Sequence, residues 1–340
     1  MDVLSRLLAL APVSGRLEVR CHFGAPWRIE EPPARDGEVP YHVLLRGEAV
    51  VESAGAPPQP LRAGDVVLFA RGCAHVLRDA SGLKPKPARQ TESEIVRIAR
   101  NEGRGDAADI LCGRFLLPAS SRRLLRSLLP DRLVVHSQPA SAPDDALDGS
   151  RLARLVSLMR EEATEEGPGS ATLVNHLSAA LFALALRFAG TAEDAAAGLL
   201  ALGRHPRLQP AVLAMFDAPQ RPWTLPDLAA LCHLSRATLV RQFQETVGQS
   251  PAEVLAEIRM AFAARALVEG NLPVADIGES VGYFSDAAFQ RAFKQRMGLS
   301  PARWRATYRG AAPGDSGEAP GGNEKTWDGP VVPRETMEHK

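Results

Sequence analysis

The spacing of hydrophobic positions changes near residue 120. Before that point, short apolar runs such as Val43–Leu45 and Val66–Phe69 alternate with turn residues rich in Gly, Pro and Asp. Closely spaced short runs of this kind are typical of strands in a sandwich or a barrel. Ile110–Cys112 and Phe115–Leu117 continue the pattern. We expect the charged stretch from Lys84 to Asp106, which shows little periodicity, to be a long loop.

After residue 120, apolar residues recur at spacings of three and four, which is typical of helices. Leu124–Leu129 predicts a short helix, and Leu152–Met159 and Leu173–Leu184 each lie within a longer one. Pro139–Asp148 interrupts this pattern and predicts a linker. Residues 311–340 are rich in Gly, Pro and charge, and we expect them to be disordered.

An internal repeat occupies the last part of the helical region. Ser235–Phe243 recurs 50 positions later as Ser285–Phe293, and the same offset relates Gly248 to Gly298. It also relates the dipeptide Ser250-Pro251 to Ser300-Pro301. Matching of this kind indicates one supersecondary unit that is used twice.

Each copy predicts a helix, a tight turn and a second helix. In the first copy, Thr224 and Asp227 form a capping pair, residues 232–234 make the turn, and Ser235 caps the second helix. In the second copy, a helix at 274–281 precedes the turn at 282–284 and the cap Ser285. A long helix at 252–268 would join the two copies. This arrangement is that of two helix-turn-helix units, each of which can place its second helix in a major groove.

The second helices divide into two faces. Leu239 and Phe243, like Phe289 and Phe293, are four residues apart and predict a core-facing side. On the outward side, Arg can read guanine, Gln can read adenine, and small apolar side chains can touch a thymine methyl group. Arg236, Lys294 and Arg296 are placed to contact phosphates. The candidate DNA-binding residues are Arg236, Ala237, Val240, Arg241, Asp286, Ala287, Gln290, Arg291 and Lys294.

The second copy resembles a known family. The segments 275–285, 289–294 and 298–301 are similar to the motif of the arabinose-regulator (AraC/XylS) family. The chain departs from that motif at Gly278, where Ala is usual, and at Trp304, where Tyr is common. We expect both departures to be tolerated. The resemblance implies a sequence-specific transcription regulator that binds double-stranded promoter DNA, and not an enzyme.

The first part of the chain resembles the cupin-type sensor domain of one branch of that family. The resemblance lies in residues 2–8, in residues 61–68 with the following His75, and in Cys112-Gly113. It implies an α+β protein with a cupin-like barrel at 1–120, a helical connection for dimerisation at 121–204 and an all-α DNA-binding domain at 205–310. The barrel would then sense an effector and alter promoter binding.

A cupin fold also raises the alternatives of a metal-dependent enzyme and of a protein-binding sensory module. His42, Glu48 and His75 are the available metal ligands, and this set suits zinc, iron or manganese. Metal-binding cupins usually carry two spaced histidines and a glutamate in their first motif, whereas this chain has only His42 there. We therefore expect no metal and no cofactor.

The four cysteines lack both zinc spacing and a disulfide framework, which indicates a reducing compartment. The chain resembles the branch of the family that responds to reactive chlorine species, and Cys21 and Cys112 fall where that branch carries redox-active cysteines. The resemblance implies that oxidation of Cys21 and Cys112 shifts the DNA-bound state. The competing interpretation is that both are buried core residues. We interpret Cys73 and Cys232 as structural.

Charge and hydropathy add limits on location and partners. The 40 basic and 40 acidic residues cancel, so net charge identifies no partner. No apolar run is long enough to predict a membrane span. Arg6 interrupts the apolar start, where Leu4, Leu7 and Leu8 favour a short helix over a secretion signal. Location in the cytoplasm follows from these limits, and the family resemblance implies a homodimer, an activator that contacts RNA polymerase and responds to a small molecule or an oxidant.

Overall fold

The computed structural model describes residues 1–93, 95–136, 143–165, 167–189, 201 and 205–309. These residues form two compact units. The barrel unit contains Ser14–Leu116 and Asp131–Phe188. The helical unit contains Met1–Val13, Leu117–Pro130 and the described part of Ala189–Ala319. The predicted disorder of residues 311–340 concerns a segment outside the described residues.

The barrel unit is built from two sheets that enclose one apolar core. Among the described residues, the larger sheet has the order β11-β6-β3-β10-β1-β9-β8 and the smaller one the order β2-β7-β4-β5. Val19 and Ile110 from the first sheet and Ile29, Val51 and Leu77 from the second share this core. The strands are β1 Ser14–Gly24, β2 Arg28–Glu31, β3 Glu38–Arg46, β4 Glu48–Ser53, β5 Ala56–Arg62, β6 Val66–Leu68, β7 His75–Arg78, β8 Ala88–Thr91, β9 Arg97–Asn101, β10 Ala107–Leu116 and β11 Leu133–Val135. The predicted barrel is confirmed.

The expectation of a long loop from Lys84 to Asp106 is wrong. The segment contains β8 and β9, and β9 pairs in parallel with β1 from Val19 to His22. Within β9, only Ala99 is fully buried. A strand that buries so little apolar surface leaves no alternating pattern in the sequence. Its position is decided by backbone pairing with β1.

Two helices complete the barrel unit, α3 (Pro143–Glu162) and α4 (Ser170–Ala189). The linker predicted at 139–148 lies outside the described residues up to residue 142. From residue 143 onward the prediction is wrong, because α3 begins there. Pro143 at the first helical position keeps its fixed φ without losing a hydrogen bond, and the acidic residues behind it favour a helix start.

The helix α4 is long and apolar enough to cross a membrane by length and composition alone. It packs within the barrel unit instead. The ring of Phe182 lies 5.0 Å from that of Phe115 in β10, and the Ser178 hydroxyl lies 2.8 Å from the Tyr41 hydroxyl in β3. Both apolar and polar side chains of α4 therefore contact the strands of the barrel unit.

Nine helices form the helical unit within the described residues. They are α1 Val3–Leu10, α2 Arg122–Leu128, α5 Gln209–Asp217, α6 Leu225–Leu231, α7 Arg236–Val247, α8 Pro251–Glu269, α9 Val274–Ser280, α10 Asp286–Met297 and α11 Pro301–Tyr308. The short helix predicted at the start of the chain and the helices predicted for the two repeat copies are confirmed. In α1, Val3, Leu7 and Leu10 are buried, and Arg6 forms an ion pair with Asp217 of α5.

The repeat is visible in how the helices begin and end. Ser235 and Ser285 cap α7 and α10, and their side chains accept hydrogen bonds from the backbone amides of Thr238 and Ala288 respectively. Gly248 and Gly298 end α7 and α10 with φ of 70° and 79°. Only glycine adopts this left-handed conformation readily, which explains why a glycine recurs at both positions.

Candidate nucleic-acid interface and sensor cluster

The helices α7 and α10 present the same surface. From residue 235 to 250 and from 285 to 300, buried, half-buried and exposed positions follow each other in the same order. Leu239, Phe243, Phe289 and Phe293 are fully buried. The predicted division of both helices into a core face and an outward face is confirmed.

All nine candidate DNA-binding residues are exposed. Their environments differ between the two helices. Arg241 has only a loose contact with Glu245, at 4.0 Å, so its guanidinium can meet a base or a phosphate. Gln290 donates a hydrogen bond of 2.8 Å to the Asp286 carboxylate. Gln290 must therefore release or share this carboxylate before its amide can read adenine.

The position of Arg296 does not favour the phosphate contact predicted for it. The residue is half-buried, and its Nε atom is enclosed by protein. Lys294, in contrast, is exposed in the same turn. The enclosed guanidinium of Arg296 is thus less available to a phosphate than the Lys294 ammonium group.

The two turns are not of equal length, which the repeat offset of 50 conceals. The Leu234 amide donates to the Ala229 carbonyl, as the Tyr283 amide donates to that of Gly278, both at 2.9 Å. These equivalent bonds are separated by 49 residues. The second turn therefore carries one extra residue before its cap, Phe284, whose relative exposure is 89%. Recognition helices contact bases with their N-terminal residues, so Phe284 lies beside the reading face of α10.

Inside the barrel unit, a chain of hydrogen bonds runs through three side chains and ends beside a fourth. The Cys112 thiol neighbours that of Cys21, and its Sγ lies 3.1 Å from His42 Nδ1. His42 Nε2 lies 2.8 Å from His75 Nε2, and His75 Nδ1 lies 2.8 Å from the Cys73 carbonyl oxygen. β1, β3, β7 and β10 each contribute one of the four side chains.

The end of this chain fixes the direction of its bonds. A carbonyl oxygen only accepts, so His75 Nδ1 carries a proton. Burial lowers the pKa of His75 to about 4 and that of His42 well below its usual range, so both rings are neutral. His42 Nε2 consequently donates to His75, and His42 Nδ1 accepts from the Cys112 thiol.

Both thiols are buried, with relative exposures of 0% for Cys21 and 3% for Cys112. The neighbouring Cys21 thiol, together with burial, raises the pKa of Cys112 well above its usual range. Cys21 faces Ile110 and Cys112 faces Val19 in the β1–β10 ladder. The cysteines are therefore diagonal neighbours on one face, within reach of each other but not directly opposed.

An open cleft of about 490 Å³ reaches this chain at His75. Glu31 also lines the cleft and forms an ion pair of 3.1 Å with the buried Arg114. Burial raises the pKa of Glu31 to about 7, against the opposing effect of Arg114. The cleft offers a small polar molecule a route to His75.

The candidate metal ligands do not converge. Within the part of the chain that the structure describes, no group of three or more His, Cys, Asp and Glu residues could hold a metal ion. Glu48 is exposed, whereas His42 and His75 are buried. The two Nε2 atoms hydrogen-bond directly to each other at 2.8 Å. This geometry is that of a hydrogen-bond donor and acceptor pair, and it does not aim two lone pairs at one cation.

Comparison with known proteins supports both halves of this description. A cupin family profile matches residues 2–189, and a helix-turn-helix domain profile matches residues 228–307. A putative AraC-like transcription regulator of Streptomyces lividans is 30% identical over 307 residues, which are 90% of this chain and 98% of that protein. The chain belongs to the AraC-like transcription regulators.

Other members of the family match over the same length. The RCS-specific HTH-type transcriptional activator RclR of Escherichia coli (strain K12) is 29% identical over 314 residues, which are 92% of this chain and all of that protein. Among solved structures, the DNA-binding domain of AdpA in complex with a target DNA is 29% identical, with a TM-score of 0.30 over 32% of this chain and 96% of that one. As an AraC-like regulator, the chain is a DNA-binding protein and not a cupin enzyme.

Proposed function

We propose that this AraC-like regulator activates transcription from its target promoters in response to a reactive chlorine oxidant. Two exposed, equivalent recognition helices, α7 and α10, are the observation that supports promoter binding. The buried thiols of Cys21 and Cys112, diagonal neighbours across β1 and β10 in the barrel unit, support oxidant sensing. The full-length similarity to an activator named as specific for RCS supports the class of oxidant and the direction of control.

The DNA contacts are assigned residue by residue. Arg241 and Arg291 read guanine, Ala237, Val240 and Ala287 touch thymine methyl groups, and Gln290 reads adenine once it leaves Asp286. Arg236 and Lys294 contact phosphates and set the register of each helix. Asp286 either accepts from a cytosine amino group or tunes Gln290.

The sensing step is an oxidation of the thiol pair. Hypochlorous acid converts one thiol to a sulfenic acid, and chloride and a proton leave. The second thiol then attacks the sulfenic sulfur, which forms the S–S bond and releases water. Because Cys21 and Cys112 lie diagonally across β1 and β10, closing the bond requires the two strands to shift.

The environment of the thiols limits which oxidants act. When the pKa of a thiol is raised, only a small fraction of it is deprotonated at neutral pH, and the thiolate is the form that reacts with weak electrophiles. Hydrogen peroxide should therefore react slowly with Cys112, whereas the stronger electrophile hypochlorous acid still reacts. The cleft at His75 is the route of entry, and His42 accepts the hydrogen bond of the Cys112 thiol.

The remaining partners follow from the same role. The regulator acts in the cytoplasm, where it contacts RNA polymerase at the promoter. It acts as a homodimer through helices of the segment 121–204. The thiol pair makes an oxidant a better-supported signal than a small-molecule effector.

DNA binding is tested by fluorescence anisotropy of the full-length protein on labelled DNA from its own upstream region, followed by a genome-wide search for sites. Arg241→Ala is expected to lower specific affinity by about 1–3 kcal/mol, or roughly 5- to 150-fold. Arg62→Ala, on the exposed surface of β5, is the matched control and should leave affinity unchanged. Binding of Arg241→Ala at wild-type affinity to selected sites would reject the assignment of α7.

Oxidant sensing is tested on Cys21→Ser, Cys112→Ser and the control Cys73→Ser. A reporter strain and in vitro transcription with RNA polymerase are measured before and after mild hypochlorite. The first two variants should lose the response and retain basal DNA binding, and Cys73→Ser should keep both. A full response in Cys21→Ser would exclude the thiol pair as the sensor.

A further inference from the structure

The segment Leu117–Pro130 follows strand β10 directly, yet it packs as part of the helical unit. Ala119 contacts the apolar core of the second helix-turn-helix unit, which contains Ile277, Phe289 and Phe293. The helix α2 within this segment packs against α8, the helix that joins the two helix-turn-helix units. The segment that follows β10 in the sequence thus packs against the DNA-binding machinery within the helical unit.

Arg123 makes the polar contacts of this segment with two elements of the DNA-binding machinery. Its Nε atom donates to both carboxylate oxygens of Glu257 in α8, each at 2.9 Å. Its Nη1 atom donates to the carbonyl oxygen of Arg296 at 3.0 Å. The Glu257 side chain is only 9% exposed, whereas that of Arg123 is 51% exposed. A buried carboxylate is therefore held by a guanidinium that enters from the surface.

The contact with Arg296 bears on DNA reading. The Arg296 carbonyl lies in the last turn of α10, where backbone carbonyls have no partner within the helix. A cation at this end also compensates the negative end of the helix dipole. Through one side chain, the C-terminal end of the second recognition helix is tied to the linker helix α8.

We propose that Arg123 is a positioning residue that fixes α10 against α8 and so sets the placement of the two recognition helices on DNA. Three residues separate the end of the first recognition helix, α7, from the start of α8. An anchor between α8 and α10 therefore limits how far the second reading face can rotate away from the first. Linked binding modules gain affinity from each other only when their geometry lets both engage.

The test compares two DNA targets with the full-length protein. The first is a site obtained by in vitro selection that carries both half-sites, and the second is the same DNA with the half-site of α10 scrambled. Arg123→Gln is expected to lose on the order of tenfold in affinity for the complete site, because the second unit no longer adds its share. Affinity for the single half-site should change less than about twofold.

Two further variants separate positioning from folding. The double variant R123Q/E257Q replaces the ion pair by a neutral amide pair, so no carboxylate is left buried without a partner. It should recover stability but not affinity for the complete site. Arg123→Lys keeps the charge but lacks the fork that reaches two partners, and it should resemble Arg123→Gln in binding.

A third target gives a readout that a purely structural role would not change. In the wild type, one base pair inserted between the half-sites should weaken binding strongly, and in Arg123→Gln this penalty should shrink. Equal losses of Arg123→Gln on complete and single half-sites would overturn the proposal, because they would indicate general destabilisation. Wild-type affinity on the complete site would also overturn it.

Discussion

Gly278 offers a test of how tightly the second helix-turn-helix unit is packed. The AraC/XylS motif usually carries Ala at this position, and Ala is the better helix former by about 1 kcal/mol. In this chain, however, a Cβ at position 278 would lie 2.9 Å from Cδ1 and Cγ of the Phe289 ring and 3.1 Å from Phe289 Cβ. Phe289 is fully buried in the core of the unit, so its ring has little room to withdraw.

The two effects oppose each other, and the packing effect is the larger. Forcing an extra methyl group into a filled core costs about 1–3 kcal/mol. Against a helix-propensity gain of about 1 kcal/mol, Gly278→Ala is expected to destabilise the helical unit by about 1 kcal/mol. For a unit of this size, such a change lowers the melting temperature by roughly 4 °C.

The measurement is thermal unfolding of the full-length chain, followed by calorimetry, in the wild type and in Gly278→Ala. The background Phe289→Leu provides the control, because it removes the ring that opposes the new methyl group. There, Gly278→Ala should stabilise the unit by up to about 1 kcal/mol. A higher melting temperature for Gly278→Ala in the wild-type background would refute the packing argument.

Three further predictions concern single side chains. A contact between Phe284 and a thymine methyl group is tested by replacing that thymine with uracil. In the wild type, the replacement should weaken binding by about 0.8 kcal/mol, or roughly fourfold in Kd, and in Phe284→Ser it should have no effect. Equal losses in both proteins would exclude the contact. His233 holds a φ of 52° where its counterpart Gly282 has 86°, so His233→Gly should raise stability to urea by up to about 1 kcal/mol, and a lower midpoint would contradict this. The pKa of His75 is lowered to about 4 in the folded chain. In the unfolded chain, the same imidazole is protonated as the pH falls through about 6.5, whereas in the folded chain it stays neutral until the pH is much lower. The barrel unit should therefore lose stability as the pH falls from 6.5 to 4, and a His75→Phe variant with the same pH slope as the wild type would show that His75 is not the cause.

The recognition helices could be predicted from the sequence because their determinants are local. Leu239 and Phe243 lie one helical turn apart, and Ser235 stands at the cap, so the exposed face carrying Arg241 follows from helix geometry alone. The extra residue in the second turn escaped the comparison of repeats. An offset of 50 aligns the caps and the second helices, whereas the first helices are related by 49, and only the equivalent turn hydrogen bonds reveal Phe284 as the insertion.

The sequence by itself determined the family, the two recognition surfaces and the β-rich character of the first 120 residues, because these rest on short-range periodicity and on motif spacing. Only the tertiary structure decided which distant side chains meet. Strands that are far apart in the chain bring Cys21, His42, His75 and Cys112 into one buried cluster, and no local pattern encodes that meeting. The contact of Arg123 with Glu257, 134 positions away, likewise depends on how the helices pack, since a charged residue carries no periodic signal of its partner.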